Sequence, residues 1–204
     1  MTKFVPPEDF YPGVLFLVVG PSGAGKDSII AKVKELYNDS DEYVFPQRAI
    51  TRPEEAGGED HRALSVEEFG AEEAVGLYAL TWRAHGLAYG IPETIEEDLK
   101  ANRTVIINVS RSIIDTARRK FSNVRVISVN APANVIAARL KDRGREGEQE
   151  IEERLGRAEA YTVVGSDVIE IMNDSTIEGA VEKFVAALQE TTPRFEHPDN
   201  RRRR

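Results

Sequence analysis

The run Gly20-Pro21-Ser22-Gly23-Ala24-Gly25-Lys26-Asp27 has the residue types and spacing needed to wrap a row of phosphates. Glycines let a backbone turn tightly and approach a ligand closely, so that successive amides point inward. Lys26 adds a mobile point charge for the outer phosphates. Where such a loop opens a helix, the helix N-terminus contributes further positive charge. The G-x-x-x-x-G-K spacing is matched in full. At the next position a hydroxyl normally meets magnesium, but here Asp27 stands, with Ser28 after it. A carboxylate is also a hard oxygen ligand. Asp27 is therefore expected to hold the metal directly, to hold it through a water, or to orient Ser28. Without a ligand, the same run would be a plain glycine turn.

A second set of residues is rich in arginine. Arg139 and Arg143 are four apart and share a helix face. Arg145 lies between Gly144 and Gly147, and Arg154 and Arg157 follow on a returning helix. The planar guanidinium grips phosphate oxygens two at a time. A lid over about 142–150 carrying these side chains would exclude water and neutralise charge on a transferred phosphoryl group. The interleaved Glu146, Glu148, Glu150, Glu152, Glu153 and Glu159 allow a plainer reading, a solvated helix pair. A third set, Arg48, Arg52, His61, Tyr89 and Arg111, falls in loops and short strands flanking the expected crevice. These are candidates for the anionic groups of a phosphate acceptor. His85 is ambiguous, and Trp82 reads as packing.

The elements that must position these groups follow from periodicity. Val14 to Val19 is an unbroken apolar run, as expected of a strand buried on both faces. Beyond the loop, Ile29, Ile30, Val33, Leu36 and Tyr37 recur on one side of a helix opening at Lys26. Tyr43 begins a short strand running to Ile50, and the polar stretch from Thr51 to His61 closes no hairpin. Ser65 caps a helix with Glu67 and Glu68 in its first turn. Leu77 to Trp82 reads as strand, Ala84 to Gly90 as a turn, and Pro92 as the start of a helix. Strands at Thr104–Val109, Val124–Val129 and Asp167–Met172 then alternate with helices near 113–121, 132–143, 148–161 and 177–188. Alternation of this kind implies right-handed crossovers and an α/β fold, a parallel sheet with helices on both faces. Residues 47–92 break the rhythm as an inserted lobe over the C-terminal edge of the strands, where such folds bind ligands. The expected organisation is one kinase-like domain over 1–192 and a disordered, arginine-ended tail over 193–204.

Bulk properties narrow the class. The chain has 204 residues, 41% hydrophobic and 30% charged, as in an ordinary globular protein. It has no cysteine, which excludes disulfides and thiolate metal sites, and its 3 histidines are too scattered to suggest zinc. No apolar run approaches the ~20 residues that span a bilayer, and no signal-peptide stretch opens the sequence, so a cytoplasmic protein is expected. The formal net charge of -8 becomes -12 once the four terminal arginines are set aside. A body this acidic does not suit a nucleic-acid binder, so an anionic substrate must be held by local cations.

With these residues assembled, the chain resembles the guanylate kinase-like P-loop kinases over roughly 14–190. The resemblance rests on Gly20 to Lys26, Thr51-Arg52-Pro53, Tyr89-Gly90, and Arg139 to Gly144 followed by Arg154-Leu155. Within that group it is most similar to the branch that phosphorylates ribose 1,5-bisphosphate in bacterial phosphonate use. Gly25-Lys26-Asp27-Ser28, Ala49-Ile50-Thr51-Arg52, His85 to Gly90, Asn108-Val109-Ser110-Arg111 and Arg143-Gly144-Arg145-Glu146 carry this second likeness. It implies ATP with magnesium as phosphoryl donor and 5-phosphoribosyl 1-diphosphate with ADP as products. It further implies catalytic roles for Lys26, Arg139, Arg143 and Arg154, and places Asn173 and Asp174 near the adenine. The chain departs from guanine-specific relatives at Leu80, where a base-reading glutamate is usual, and at Asn108 and Ser110, where acidic residues are usual. Unpaired guanine N–H groups would cost about 1–3 kcal/mol each. The rival expectations are a nucleoside monophosphate kinase of the guanylate kinase type, and a guanylate kinase-like module that binds without catalysing.

Overall fold

The structure is a computed structural model and describes residues 10–53, 60–143 and 163–191. Among the described residues, five parallel strands form the core sheet in the order β2-β7-β1-β8-β9. They are β1 (Val14–Val19), β2 (Tyr43–Val44), β7 (Thr104–Asn108), β8 (Val124–Asn130) and β9 (Val168–Met172). All six residues of β1 are buried, as a central strand covered on both faces requires.

Alternate residues of β1 serve opposite faces. Leu15, Leu17 and Val19 pack with Ile95 and Leu99 of α3 (Ile95–Lys100) and with Ile114 and Ala117 of α4 (Ile114–Lys120). Val14, Phe16 and Val18 pack with Ile29 and Val33 of α1 (Lys26–Leu36) and with Val181, Phe184 and Leu188 of the last helix, α6 (Ile177–Thr191). α5 (Ala133–Arg143) contributes Ile136 and Leu140 to a small cluster of its own.

Residues 48–92 build a second sheet of four strands in the order β4-β3-β6-β5. These are β3 (Arg48–Ile50), β4 (His61–Ala63), β5 (Tyr78–Ala84) and β6 (Leu87–Pro92), with α2 (Val66–Ala74) between β4 and β5. Ser65 and Glu68 cap α2 reciprocally, each side chain bonding the other's backbone amide. Ala79, Leu80, Trp82 and Ile91 bury against the α3–α4 face of the core, so the lobe and the sheet share one apolar interior.

Four local expectations are corrected. The stretch 43–50 is two strands: β2 pairs with β7 in the core, while β3 pairs with β4 and β6 in the lobe. Pro46 between them offers no N–H to carry a ladder across the change of sheet. Residues 84–90 are a hairpin, not a turn alone. Its tip is His85-Gly86, both at positive φ (52° and 74°), and strand pairing resumes at Leu87. Pro92 ends β6 instead of opening a helix, and α3 begins at Ile95. Leu36 is exposed, because Tyr37 turns instead to stack on Tyr43 with ring centroids 4.1 Å apart. The expected helix over 148–161, with Arg145, Arg154 and Arg157, lies outside the described residues, as does the tail over 193–204.

Candidate active site

β1 delivers the chain into the phosphate loop, and α1 carries it away. Two glycines explain why the loop closes. Gly20 has φ 143°, and a Cβ there would stand 1.9 Å from the Val129 carbonyl oxygen. Gly25 has φ 94°, and a Cβ there would stand 2.5 Å from Asn173 Nδ2. Only glycine satisfies both demands at each position.

The loop is braced from behind. Asn173 follows β9, is 2% exposed, and donates from Nδ2 to the Ala24 carbonyl at 2.8 Å. Arg139 of α5 donates from Nη1 to the carbonyls of Gly23 and Ala24, both at 3.3 Å. With these carbonyls engaged, and the Ala24 amide bonded to the Pro21 carbonyl at 3.2 Å, the other loop amides are left for a ligand. Lys26 donates to the carbonyls of Gly20 at 2.8 Å and Pro21 at 3.0 Å, which folds its ammonium back across the loop mouth. Ser22 and Gly23 form the loop's turn after Pro21, with Ser22 exposed, and Asp174 is exposed beside Asn173.

Asp27 and Ser28 open α1 on the side of the lobe. There a cleft of about 440 Å³ is lined by both, by Lys34 on the same helix, and by Gln47, Arg48, Asp60 and Asn108. Asn108, the last residue of β7, donates from Nδ2 to Asp27 Oδ1 at 2.6 Å. Its own carbonyl accepts from Arg48 Nη1 at 2.7 Å. The loop, the core sheet and the lobe therefore meet at one asparagine.

Arg48 is only 8% exposed. Its guanidinium lies 5.8 Å from the Trp82 ring centroid and 5.6 Å from that of Tyr89. Those two rings stack nearly parallel with centroids 5.0 Å apart. Next to them on β6, the Tyr78 ring covers Gly90 so closely that any Cβ would meet it at 2.5 Å, which accounts for the Tyr89-Gly90 pair. Arg52 and His61 clasp each other. His61 Nε2 faces the Arg52 carbonyl at 3.1 Å and so carries the hydrogen, while Nδ1 receives Arg52 Nη2 at 3.3 Å. Thr51 fixes this corner by accepting from the Ala88 amide at 2.8 Å. Arg111 begins a 3-10 turn capped by Ser110, at the same end of β7 as Asn108.

The structure thus brings Lys26, Arg139 and Asn173 onto one loop, and Asp27, Ser28 and Arg48 into one cleft. His61 and Tyr89 sit in the lobe strands that flank it, and Arg52 in the bend after β3. Arg143 closes the described part of α5. Sequence reasoning treated Trp82 only as packing and Asn108 only as a lost acid. It missed Lys34, although Asp27, Ile30, Ala31 and Lys34 follow one helix face at i, i+3, i+4, i+7.

The residues present suit magnesium bound to a nucleotide. Among the described residues no three histidines or carboxylates cluster. Magnesium that takes most of its oxygens from phosphates and water needs only one or two carboxylates from the protein. Asp27 is a carboxylate at the position after Lys26, its Oδ1 already oriented by Asn108.

The shifted titrating groups described lie elsewhere. In the lobe, a hydrogen bond from Arg62, then one from Tyr78, holds Glu72 below the usual carboxylate range. Burial and then Glu72 push the Tyr78 phenol up. Among the described residues no helix is long and apolar enough to cross a membrane.

Comparison with known proteins agrees with this architecture. The guanylate kinase family model matches residues 13–191. A ribose 1,5-bisphosphate phosphokinase of Chelativorans sp. is 42% identical over 87% of this chain and 85% of its own. A bifunctional ribose 1,5-bisphosphokinase-thymidine phosphorylase of Azorhizobium caulinodans is 46% identical over 90% of this chain, and the chain spans only 26% of that protein's length. A crystal structure of guanylate kinase from Anaplasma phagocytophilum has the same fold, with a TM-score of 0.65 at 18% identity over 91% of this chain and 89% of that one. By the family match over nearly its whole length and the identity shared with the Chelativorans protein, the chain belongs to the guanylate kinase family of P-loop kinases, in the branch of the ribose 1,5-bisphosphate phosphokinases.

Proposed function

We propose that this chain transfers the γ-phosphoryl group of ATP to ribose 1,5-bisphosphate, giving 5-phosphoribosyl 1-diphosphate and ADP. The observation that carries the reading is the 42% identity with the Chelativorans ribose 1,5-bisphosphate phosphokinase over 87% of this chain. The lobe itself supports it. Arg48 and His61 are buried there, and Leu80 is buried where a guanine-reading carboxylate would stand.

The nucleophile is an oxygen of the acceptor's 1-phosphate, already ionised near neutral pH, so no strong general base is required. It attacks the γ-phosphorus while the bond from that phosphorus to the β–γ bridging oxygen breaks, and ADP leaves with the electron pair. Catalysis is then in-line positioning and charge stabilisation. The amides of Gly20 to Lys26 hold the β-phosphate. Lys26 exchanges the Gly20 and Pro21 carbonyls for oxygens of the transferred group. Asp27, or Ser28 beside it, would hold magnesium, which would neutralise charge on the donor's phosphates. Arg139, Arg143 and Arg154 gather on the reacting phosphoryl, assisted by Arg145 or Arg157 from a lid over 142–150. Arg48, Arg52, His61, Tyr89 and Arg111 hold the acceptor's two phosphates in the 47–92 lobe. Asn173 and Asp174 lie toward the adenine, and residues 1–192 act as one catalytic unit.

Phosphorus NMR of a mixture of ATP, magnesium and ribose 1,5-bisphosphate tests the reading. The expected result is a new sugar diphosphate appearing in step with ADP. No turnover with any acceptor, together with tight binding of a phosphopeptide, would make the chain a binding module and overturn it.

A further inference from the structure

In P-loop enzymes the nucleotide's magnesium is held between a hydroxyl of the loop and a carboxylate at the end of a neighbouring strand. Both positions are recognisable here, and their chemistry is exchanged. The residue after Lys26 is the carboxylate, Asp27. Of the two strands paired directly with β1, β7 sets Asn108 opposite Val18 and ends on that amide. The two side chains touch, Asn108 Nδ2 donating to Asp27 Oδ1 at 2.6 Å. An amide can donate to a carboxylate at that distance, whereas a second carboxylate could not without a proton. Asn108 is anchored in turn, since its carbonyl accepts from the buried Arg48 at 2.7 Å. Among the described residues Asp27 Oδ2 has no hydrogen-bond or ion-pair partner, so the bond to Oδ1 fixes the carboxylate while leaving its second oxygen available.

We propose that Asn108 is a positioning residue that aims the Asp27 carboxylate at the magnesium of the bound nucleotide, so that this kinase carries its metal-binding charge on the loop and the neutral partner on the strand. The inference rests on the ATP–magnesium part of the proposed function and not on the identity of the acceptor. It also assigns a role to the departure from acidic residues at position 108. An acid there would repel Asp27, so the exchange of the two positions is coupled.

The test uses the full chain with ADP and manganese as the metal probe. Bound manganese is read by electron paramagnetic resonance, and ADP affinity without metal is measured by calorimetry in EDTA. Asn108→Ala is expected to weaken manganese binding in the ADP complex about tenfold, as loss of an orienting partner does, with metal-free ADP affinity unchanged. Asp27→Ser should weaken it at least as much. The double variant Asp27→Ser with Asn108→Asp, which returns the charge to the strand, should recover binding to within about threefold of the parent. Asn108→Ser, read in the same way, serves if the alanine variant does not fold. Manganese binding unchanged in the Asn108 variant would overturn the proposal. So would equal loss of metal-free ADP binding, or a double variant no better than Asp27→Ser. No acceptor enters the assay, so failure of the acceptor assignment would leave this result intact.

Discussion

Lys26 rests on the carbonyls of Gly20 and Pro21, and in the proposed reaction it exchanges them for phosphate oxygens of ATP. The exchange swaps neutral acceptors for charged ones, and such charge-assisted bonds are the stronger kind. Lys26→Ala is therefore expected to lower kcat by at least about 10²-fold, the scale of losing one transition-state donor, while the melting temperature stays within a few degrees of the parent. Steady-state kinetics with circular dichroism would check both. Arg48 has a different task. It bonds the Asn108 carbonyl with one nitrogen and lies against the Trp82 and Tyr89 rings. A lysine keeps the charge but not the planar fork. Arg48→Lys should raise the acceptor KM roughly tenfold, as one charged hydrogen bond is worth about 1.5–3 kcal/mol.

At the scale of elements, α2 is held by the Ser65–Glu68 capping box and lies away from the phosphate loop. Ser65→Ala should cost about 1 kcal/mol and lower the melting temperature by about 2–4 °C, with kcat unaltered. Thermal unfolding beside an activity assay would show it. The cap was legible in the sequence because its signals are local: a serine, then acidic residues in the first turn, with a glutamate three residues on. So was the core strand Val14–Val19, whose burial on both faces leaves an unbroken apolar string. The lobe was harder to read. The strand Tyr43–Val44 and the strand Arg48–Ile50 belong to different sheets, and nothing in a short apolar run tells which partner it takes. The His85-Gly86 hairpin was hidden because His85 adopts a positive φ that its residue type does not announce. At the site, the glycines and Lys26 declared phosphate binding, but the bond from Asn108 to Asp27 joins residues 81 positions apart and follows only from the β1–β7 register.

Across the whole molecule, one polar network ties the entering chain to the α3–α4 face. Glu96 accepts from the Tyr11 hydroxyl at 3.0 Å and pairs with Lys120 at 2.7 Å. Burial pushes the Glu96 carboxyl up, but the hydrogen bond and charge of Lys120, with Tyr11, outweigh it and hold the group below its usual range. A carboxyl depressed in the folded state adds stability above its unfolded value of about 4.3, and that stability is lost as the pH falls through the lower folded value. Lys120→Met should therefore weaken the protein by about 1 kcal/mol at pH 7, with the difference shrinking toward pH 3. Urea unfolding at several pH values would measure it, and a pH-independent difference would contradict the linkage. Fold class was legible at this scale because alternating strands and helices admit few topologies. The proposed choice of acceptor rests on fewer residues, chiefly Leu80, Arg48 and Asn108. The most direct measurement is kcat/KM for ribose 1,5-bisphosphate and for GMP, taken side by side by ADP release with saturating magnesium–ATP. The bisphosphate should be the better acceptor by at least about 10²-fold, the discrimination expected when a polar base meets a site without partners for it. A higher kcat/KM with GMP would contradict the assignment.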